Sequence, residues 1–313
     1  MKKIILFSLL IFTNYVLTAQ KTEKDYEHRY DAPWQQKTQQ ATTFIGYGID
    51  NAPDFHGDIN NPDLVIFFAG NQYMVVPELL AAFKKEHPEY TRVFAETIPP
   101  GIEESQQKSG TLVFGNMKIT LQPDVVTAGK SRIIAQEKTH VLKNTYAYAK
   151  NKLAIMVQKG NPKNIKSLID LARADVKVSM PNPKWEGIAT RIVKAYENVG
   201  GPNLTTTIME NKVEKNNTFL TTIHHRETPL RIMYNNSDAG PVWYTEAYYH
   251  SKLTNHPIDM ITIPDENNVS TVYMAGIYNN APHPKAANQF IAFLATDLAQ
   301  NIYKKYGFDT IKN

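Results

Sequence analysis

The feature that most restricts the fold of this chain is a strand-length run with no polar residue in it, Leu64-Val-Ile-Phe-Phe68. Such a run offers no wet face, so it reads as a strand buried on both sides, the habit of parallel sheets covered by helices. Gly70-Asn71-Gln72 turns the chain after it. Pro77 then suits the first turn of a helix whose apolar stripe is Leu79, Leu80 and Phe83. The scheme recurs. Residues 93–95 and 123–127 are predicted strands, ending in Ile98-Pro99-Pro100-Gly101 and Ala128-Gly129-Lys130-Ser131. Farther on, strands are predicted at 153–157, 176–180, 238–244, 260–263 and 271–278. Helices are predicted at 165–173, at 188–198 with Gly200 as its stop, after Pro284, and up to Tyr306-Gly307-Phe308. This alternation specifies an α/β fold. Two such blocks without a Gly/Ser linker imply two lobes joined by strands that cross between sheets and act as a hinge.

Composition excludes whole classes of chemistry. Cysteine is absent from the 313 residues, so there is no disulfide framework, thiolate zinc site, iron–sulfur cluster or cysteine nucleophile. With 34 basic and 30 acidic side chains the formal charge is only +4, and the basic residues form no stripe with interleaved aromatics, so no nucleic-acid partner is expected. The N-terminus carries an address. Lys2 and Lys3 precede an apolar run from Ile4 to Ile11, and Leu17-Thr18-Ala19 offers a cleavage site, so residues 1–19 read as a signal peptide. The run is shorter than the roughly 20 residues of a membrane span. Lacking Cys, the segment is no lipoprotein signal, and an exported, periplasmic protein is expected. Residues 20–61 read as a polar N-terminal extension pinned to the body by Trp34, Phe44 and Tyr47.

Four stretches carry a family likeness: Gln122-Pro123-Asp124-Val125-Val126; Asn151-Lys152-Leu153-Ala154-Ile155 followed by Lys159-Gly160-Asn161-Pro162; Asp238-Ala239-Gly240-Pro241-Val242-Trp243-Tyr244-Thr245-Glu246; and Tyr306-Gly307-Phe308. In this order, behind an export signal, they resemble the type 2 periplasmic substrate-binding proteins, and within them the molybdate-binding subgroup of ABC-transporter receptors. The resemblance implies a hinged, two-lobed receptor that closes over a small solute and delivers it to a membrane ABC permease. Lobe one would comprise 62–149 plus 276–313 and lobe two 150–275, with crossovers near 151–157 and 271–277. The chain departs from the subgroup at Asn71, which replaces the usual Ser, at Trp243, which replaces a Tyr, and at Pro241.

Ligands of open α/β sheets bind outside the carboxyl ends of strands, where helix starts offer unsatisfied N–H groups and a positive dipole end. The candidate ligand-binding residues of lobe one are Gly70, Asn71, Gln72, Pro100 and Gly101; the turn at 129–132 also qualifies. In lobe two they are Trp185, Glu186, His224, His225, Arg226, Thr228 and Trp243. Arg226 offers a planar fork for oxyanions, and Thr228-Pro229 reads as a helix start. The expectation is a monomeric receptor for a small anion, a molybdate-like oxyanion or a small carboxylate, with no catalytic residue, metal or cofactor. Two alternatives remain open at this point. One is a metal or metal-chelate receptor using His224, His225, Glu246 and a tyrosine; the other is a secreted hydrolase using His225 with Glu227 or Glu246. Tyr248-Tyr249 reads as helix packing.

Overall fold

The structure, a computed structural model, describes residues 42–44, 54–114, 117–184, 186–222 and 226–311. The expected signal peptide, Trp34, Tyr47 and the Phe44 side chain lie outside the described residues. Strands β1 (Thr42–Phe44), β2 (Phe55–Gly57) and β3 (Leu64–Phe67) lead to helix α1 (Val76–Glu86). Then come β4 (Val93–Glu96), α2 (Pro100–Ser109), the hairpin of β5 (Leu112–Phe114) and β6 (Met117–Ile119), β7 (Val125–Gly129), α3 (Lys130–Lys138) and β8 (Leu142–Asn151). A second block follows: β9 (Leu153–Gln158), β10 (Val178–Met180), α4 (Gly187–Thr206), β11 (Thr218–Leu220), α5 (Glu227–Met233), β12 (Ala239–Trp243), α6 (Tyr244–Lys252) and β13 (Ile258–Thr262). The chain closes with β14 (Thr271–Tyr278), α7 (Pro284–Leu294), α8 (Asp297–Lys305) and β15 (Asp309–Thr310).

These strands form two main sheets, one in each lobe. The first runs β1-β2-β4-β3-β7-β14-β8-β15 and the second β11-β10-β12-β9-β13. Pairing of β3 with β4 and β7 is parallel, as is that of β10 with β11 and β12, while β14 and β9 run antiparallel to their neighbours. The pleat explains the apolar runs. Leu64, Ile66 and Phe68 enter one hydrophobic cluster while Val65 and Phe67 enter another on the opposite face. In the second sheet Leu153, Ile155 and Val157 divide from Ala154 and Met156 in the same way.

The chain passes between the sheets twice. Lys152 alone separates β8 from β9, and residues 263–270 separate β13 from β14. Asn268 ties the two passages together: its Oδ1 accepts from Leu153 N and its Nδ2 donates to Leu153 O, both at 2.9 Å. All of β14, from Thr271 paired with Asn151 onward, belongs to the first sheet. The boundary expected at 275/276 therefore falls inside a first-sheet strand, because residues 271–275 pair with β8, across a register shift between Tyr273 and Met274, and residues 273–277 pair with β7. Phe55, expected in a polar extension, is buried and stacks on Phe94, since β2 pairs with β4.

Three local expectations are corrected. Residues 165–173 hold only a 3₁₀ turn at Leu168–Ala172, opened by a Ser167/Asp170 capping box. Gly200 does not stop α4; Gly201 takes a left-handed φ of 66° and Pro202 restarts the helix, so the two segments join across a kink. Thr228 is not an N-cap, since α5 already begins at Glu227 behind Arg226.

Candidate functional site

A cleft of about 210 Å³ opens outside the carboxyl ends of β3, β4, β7, β10 and β12, between residues of the two sheets. Lobe one contributes Ala69, Gly70 and Asn71 from the turn after β3, then Pro99, Pro100 and Gly101 at the start of α2. Gly129, Ser131 and Arg132 follow at the start of α3. Lobe two contributes Glu186, Gly187, Ile188 and Arg191 at the start of α4, and Trp243 at the end of β12. Thr271 and Tyr273 of β14 complete the lining. Pockets for drug-sized molecules run to about 300–1,000 Å³; this one suits a smaller guest.

Four helical starts therefore meet at one cleft. Their N-cap positions are Ala69, Pro99, Gly129 and Glu186, and at none does the N-cap side chain accept a first-turn N–H. Ala, Pro and Gly have no side-chain acceptor to offer, so no side-chain cap takes up the amide hydrogens of Asn71, Gly101 and Ser131. Pro99 and Pro100 carry none, and the Gln72 and Ile102 amides bond to the Ala69 and Pro99 carbonyls. Gly70 is required by close approach: a Cβ there would lie 3.0 Å from Thr97 O and 3.2 Å from Ile98 O.

Asn71 Nδ2 donates to the Tyr273 hydroxyl at 2.5 Å, which fixes the turn against β14. Burial holds the Tyr273 phenol protonated well above the usual tyrosine range. Arg191 reaches across from α4. Its Nη1 donates to Gly187 O at 2.9 Å, its Nη2 to Thr271 Oγ1 at 3.3 Å, and its guanidinium lies 5.9 Å from the Trp243 ring centroid. Arg132 pairs with Glu104 at 2.7 Å. Beneath α2, burial raises the Glu96 carboxyl to about 8, against a smaller opposing effect from Gln106, whose Nε2 donates to it at 3.0 Å.

Of the residues expected from the sequence, Gly70, Asn71, Pro100, Gly101, Glu186 and Trp243 line the cleft. Gln72 does not. Its Nε2 donates to Thr127 Oγ1 at 3.0 Å, and its Oε1 accepts from the Tyr148 and Tyr303 hydroxyls at 2.9 and 3.0 Å, which makes it part of the polar core under the sheet. Thr228 faces Ser179 Oγ at 2.9 Å and is fully buried. Arg226 is 2% exposed and paired with Asp54 at 2.6 Å, away from the lining. Trp185, His224 and His225 lie outside the described residues. Glu246 is buried on α6 and is not part of the lining. Tyr248 stacks on Tyr244, and both rings approach Gly307, the packing expected of them. Sequence reasoning missed Arg191, Thr271 and Tyr273. Arg191 stands four residues after Gly187, so its side chain returns to the helix start already suspected; that spacing was the available signal.

Residues 64–309 match the family model described as bacterial extracellular solute-binding protein. The chain belongs to that family. This solute-binding protein is 24% identical over 247 residues to the molybdate-binding protein ModA of Mycobacterium tuberculosis, covering 78% of this chain and 84% of that one. Its fold is that of the Azotobacter vinelandii periplasmic molybdate-binding protein, at a TM-score of 0.63, 14% identity and coverage of 80% and 100% of the two chains. The sulfate-binding protein SubI from Mycobacterium tuberculosis matches at a TM-score of 0.63 and 18% identity, covering 80% of this chain and 86% of that one. No helix among the described residues is long and apolar enough to cross a membrane.

Proposed function

We propose that this solute-binding protein is exported behind residues 1–19, acts as a monomer in the periplasm, captures a small anion between its lobes and presents it to a membrane ABC permease, without a catalytic step. One observation carries the reading: uncapped helical starts from both lobes converge on a single small cleft. An anion there accepts amide hydrogens from lobe one and faces the Arg191 guanidinium of lobe two. Because its contacts come from both lobes, it binds the closed arrangement better than the open one and shifts the population by that difference. The molybdate-binding and sulfate-binding proteins that this chain is similar to agree with an anionic solute.

Calorimetric titration of mature protein, unfolded and refolded to remove any carried ligand, tests this against molybdate, sulfate, thiosulfate and phosphate. At least one is expected to bind with a Kd of about 10 μM or tighter, near −7 kcal/mol. Failure of every anion to bind below millimolar concentration overturns the reading.

A further inference from the structure

Strand β14 begins where the lobes are joined. Its first residue, Thr271, pairs with Asn151, the last residue of β8, so one passage between the sheets leaves and the other returns at this rung. Asn151 is itself held across the junction, its Nδ2 donating to Thr245 Oγ1 of α6 at 2.9 Å. Thr271 and Tyr273 follow the two-residue period of a strand, and both line the cleft. Each holds one side of it. The Tyr273 hydroxyl accepts from Asn71 of the turn after β3 at 2.5 Å, and Thr271 Oγ1 accepts from Arg191 Nη2 of α4 at 3.3 Å.

The second contact fixes a cation. Arg191 is half-buried, and its Nη1 donates to Gly187 O at 2.9 Å within its own helix. Among the described residues, Thr271 Oγ1 is its hydrogen-bond acceptor outside α4, and the Trp243 ring centroid lies 5.9 Å from the guanidinium. A guanidinium carries five N–H donors, and these two bonds leave three for a guest. A carboxylate at position 271 would orient the same fork and cancel its charge. A hydroxyl orients it and leaves the charge in place. Arg132, at the start of α3, shows the other case, since Glu104 pairs with it at 2.7 Å.

We propose that Thr271 is a positioning residue of the solute site: its hydroxyl holds the Arg191 guanidinium at the junction of the lobes, oriented and still charged, before an anion arrives. An arginine left loose loses rotamer freedom when a guest orders it, and that loss weakens binding; one already oriented avoids it. This inference rests on the anion-receptor reading and deepens it by assigning the group that orients its charged donor.

The test is calorimetric titration of refolded mature protein with molybdate, sulfate, thiosulfate and phosphate, continued in the variants with whichever binds the unaltered protein tightest. Thr271→Val, which keeps the shape and removes the acceptor, is expected to weaken that anion about fivefold. Thr271→Ser, which keeps the acceptor, should recover most of the loss. Thr271→Ala removes the hydroxyl by a second route and replaces the valine variant if that one does not fold. The deciding readout is coupling. In an Arg191→Gln background, Thr271→Val is expected to change affinity by less than about twofold, because the group it positions is gone. Three results overturn the positioning role and leave the anion receptor standing: unchanged affinity when the hydroxyl is removed, a loss in Thr271→Ser as large as in Thr271→Val, or the same loss in the Arg191→Gln background. If no anion binds the unaltered protein below millimolar concentration, both readings fall.

Discussion

Arg226 and Arg191 each stand beside a helix start, and burial parts their roles. Arg226 is sealed between lobes, its Nη2 2.6 Å from Asp54 Oδ1 and its guanidinium 5.5 Å from the Tyr73 ring centroid. Breaking a buried pair from one side leaves the other charge uncompensated, so Arg226→Ala is expected to lower the unfolding free energy by about 3 kcal/mol in urea denaturation. Anion affinity of the folded fraction should stay within about threefold, because the residue does not line the cleft. A large loss of affinity with stability intact would place it at the ligand after all. The sequence shows the same ion type at both positions. What separates them is a partner 172 residues away in one case and a wet cleft in the other.

Among the elements, α6 joins the lobes through a row of polar rings. The Tyr73 hydroxyl, in the turn after β3, lies 2.9 Å from His250 Nε2, and His250 Nδ1 lies 2.8 Å from His256 Nδ1. Burial, and then the charge of His256, lower the His250 imidazole to about 3. A histidine with a depressed native pKa contributes stability that is complete above its unfolded value of about 6.5 and is lost as pH falls toward the native one. Calorimetric melting temperature should therefore drop between pH 6.5 and about 4, and His250→Gln should flatten the drop. His56, lowered to about 4 by burial and then by Arg226, adds to the same slope, so the flattening is partial. An unaltered slope in the variant would rule out this assignment. Elements with a strong period were legible: β3, β9, α1 and α7 stand where the apolar pattern placed them. Strand β8 was not, because its sequence, LKNTYAYAKN, shows no two-residue alternation of apolar and polar positions, its buried and exposed residues follow no regular period, and it includes Asn144 at positive φ. The 3₁₀ turn at Leu168–Ala172 was read as a helix because periodicity does not report where the hydrogen bonds shorten.

For the whole molecule, the two passages between sheets are braced by Asn268 and are short, so the lobes move about two closely spaced segments. A bound anion is expected to lower the radius of gyration in small-angle scattering and, at a hundredfold excess over Kd, to stabilise by about 2.7 kcal/mol, raising the melting temperature by about 5 °C or more. Melting that rises without any change in scattering would mean the solute binds without closure. The sequence by itself determined the α/β alternation, the family likeness, and the Pro- and Gly-rich helix starts that cannot cap themselves. Those follow from side-chain period and backbone chemistry, which are local. Only the tertiary structure decided which cation faces the cleft and where the second passage lies. Arg191 is held by Thr271, 80 residues on, and β14 is claimed by β7 and β8; such choices depend on which distant strands pair, and no short stretch of chain encodes them.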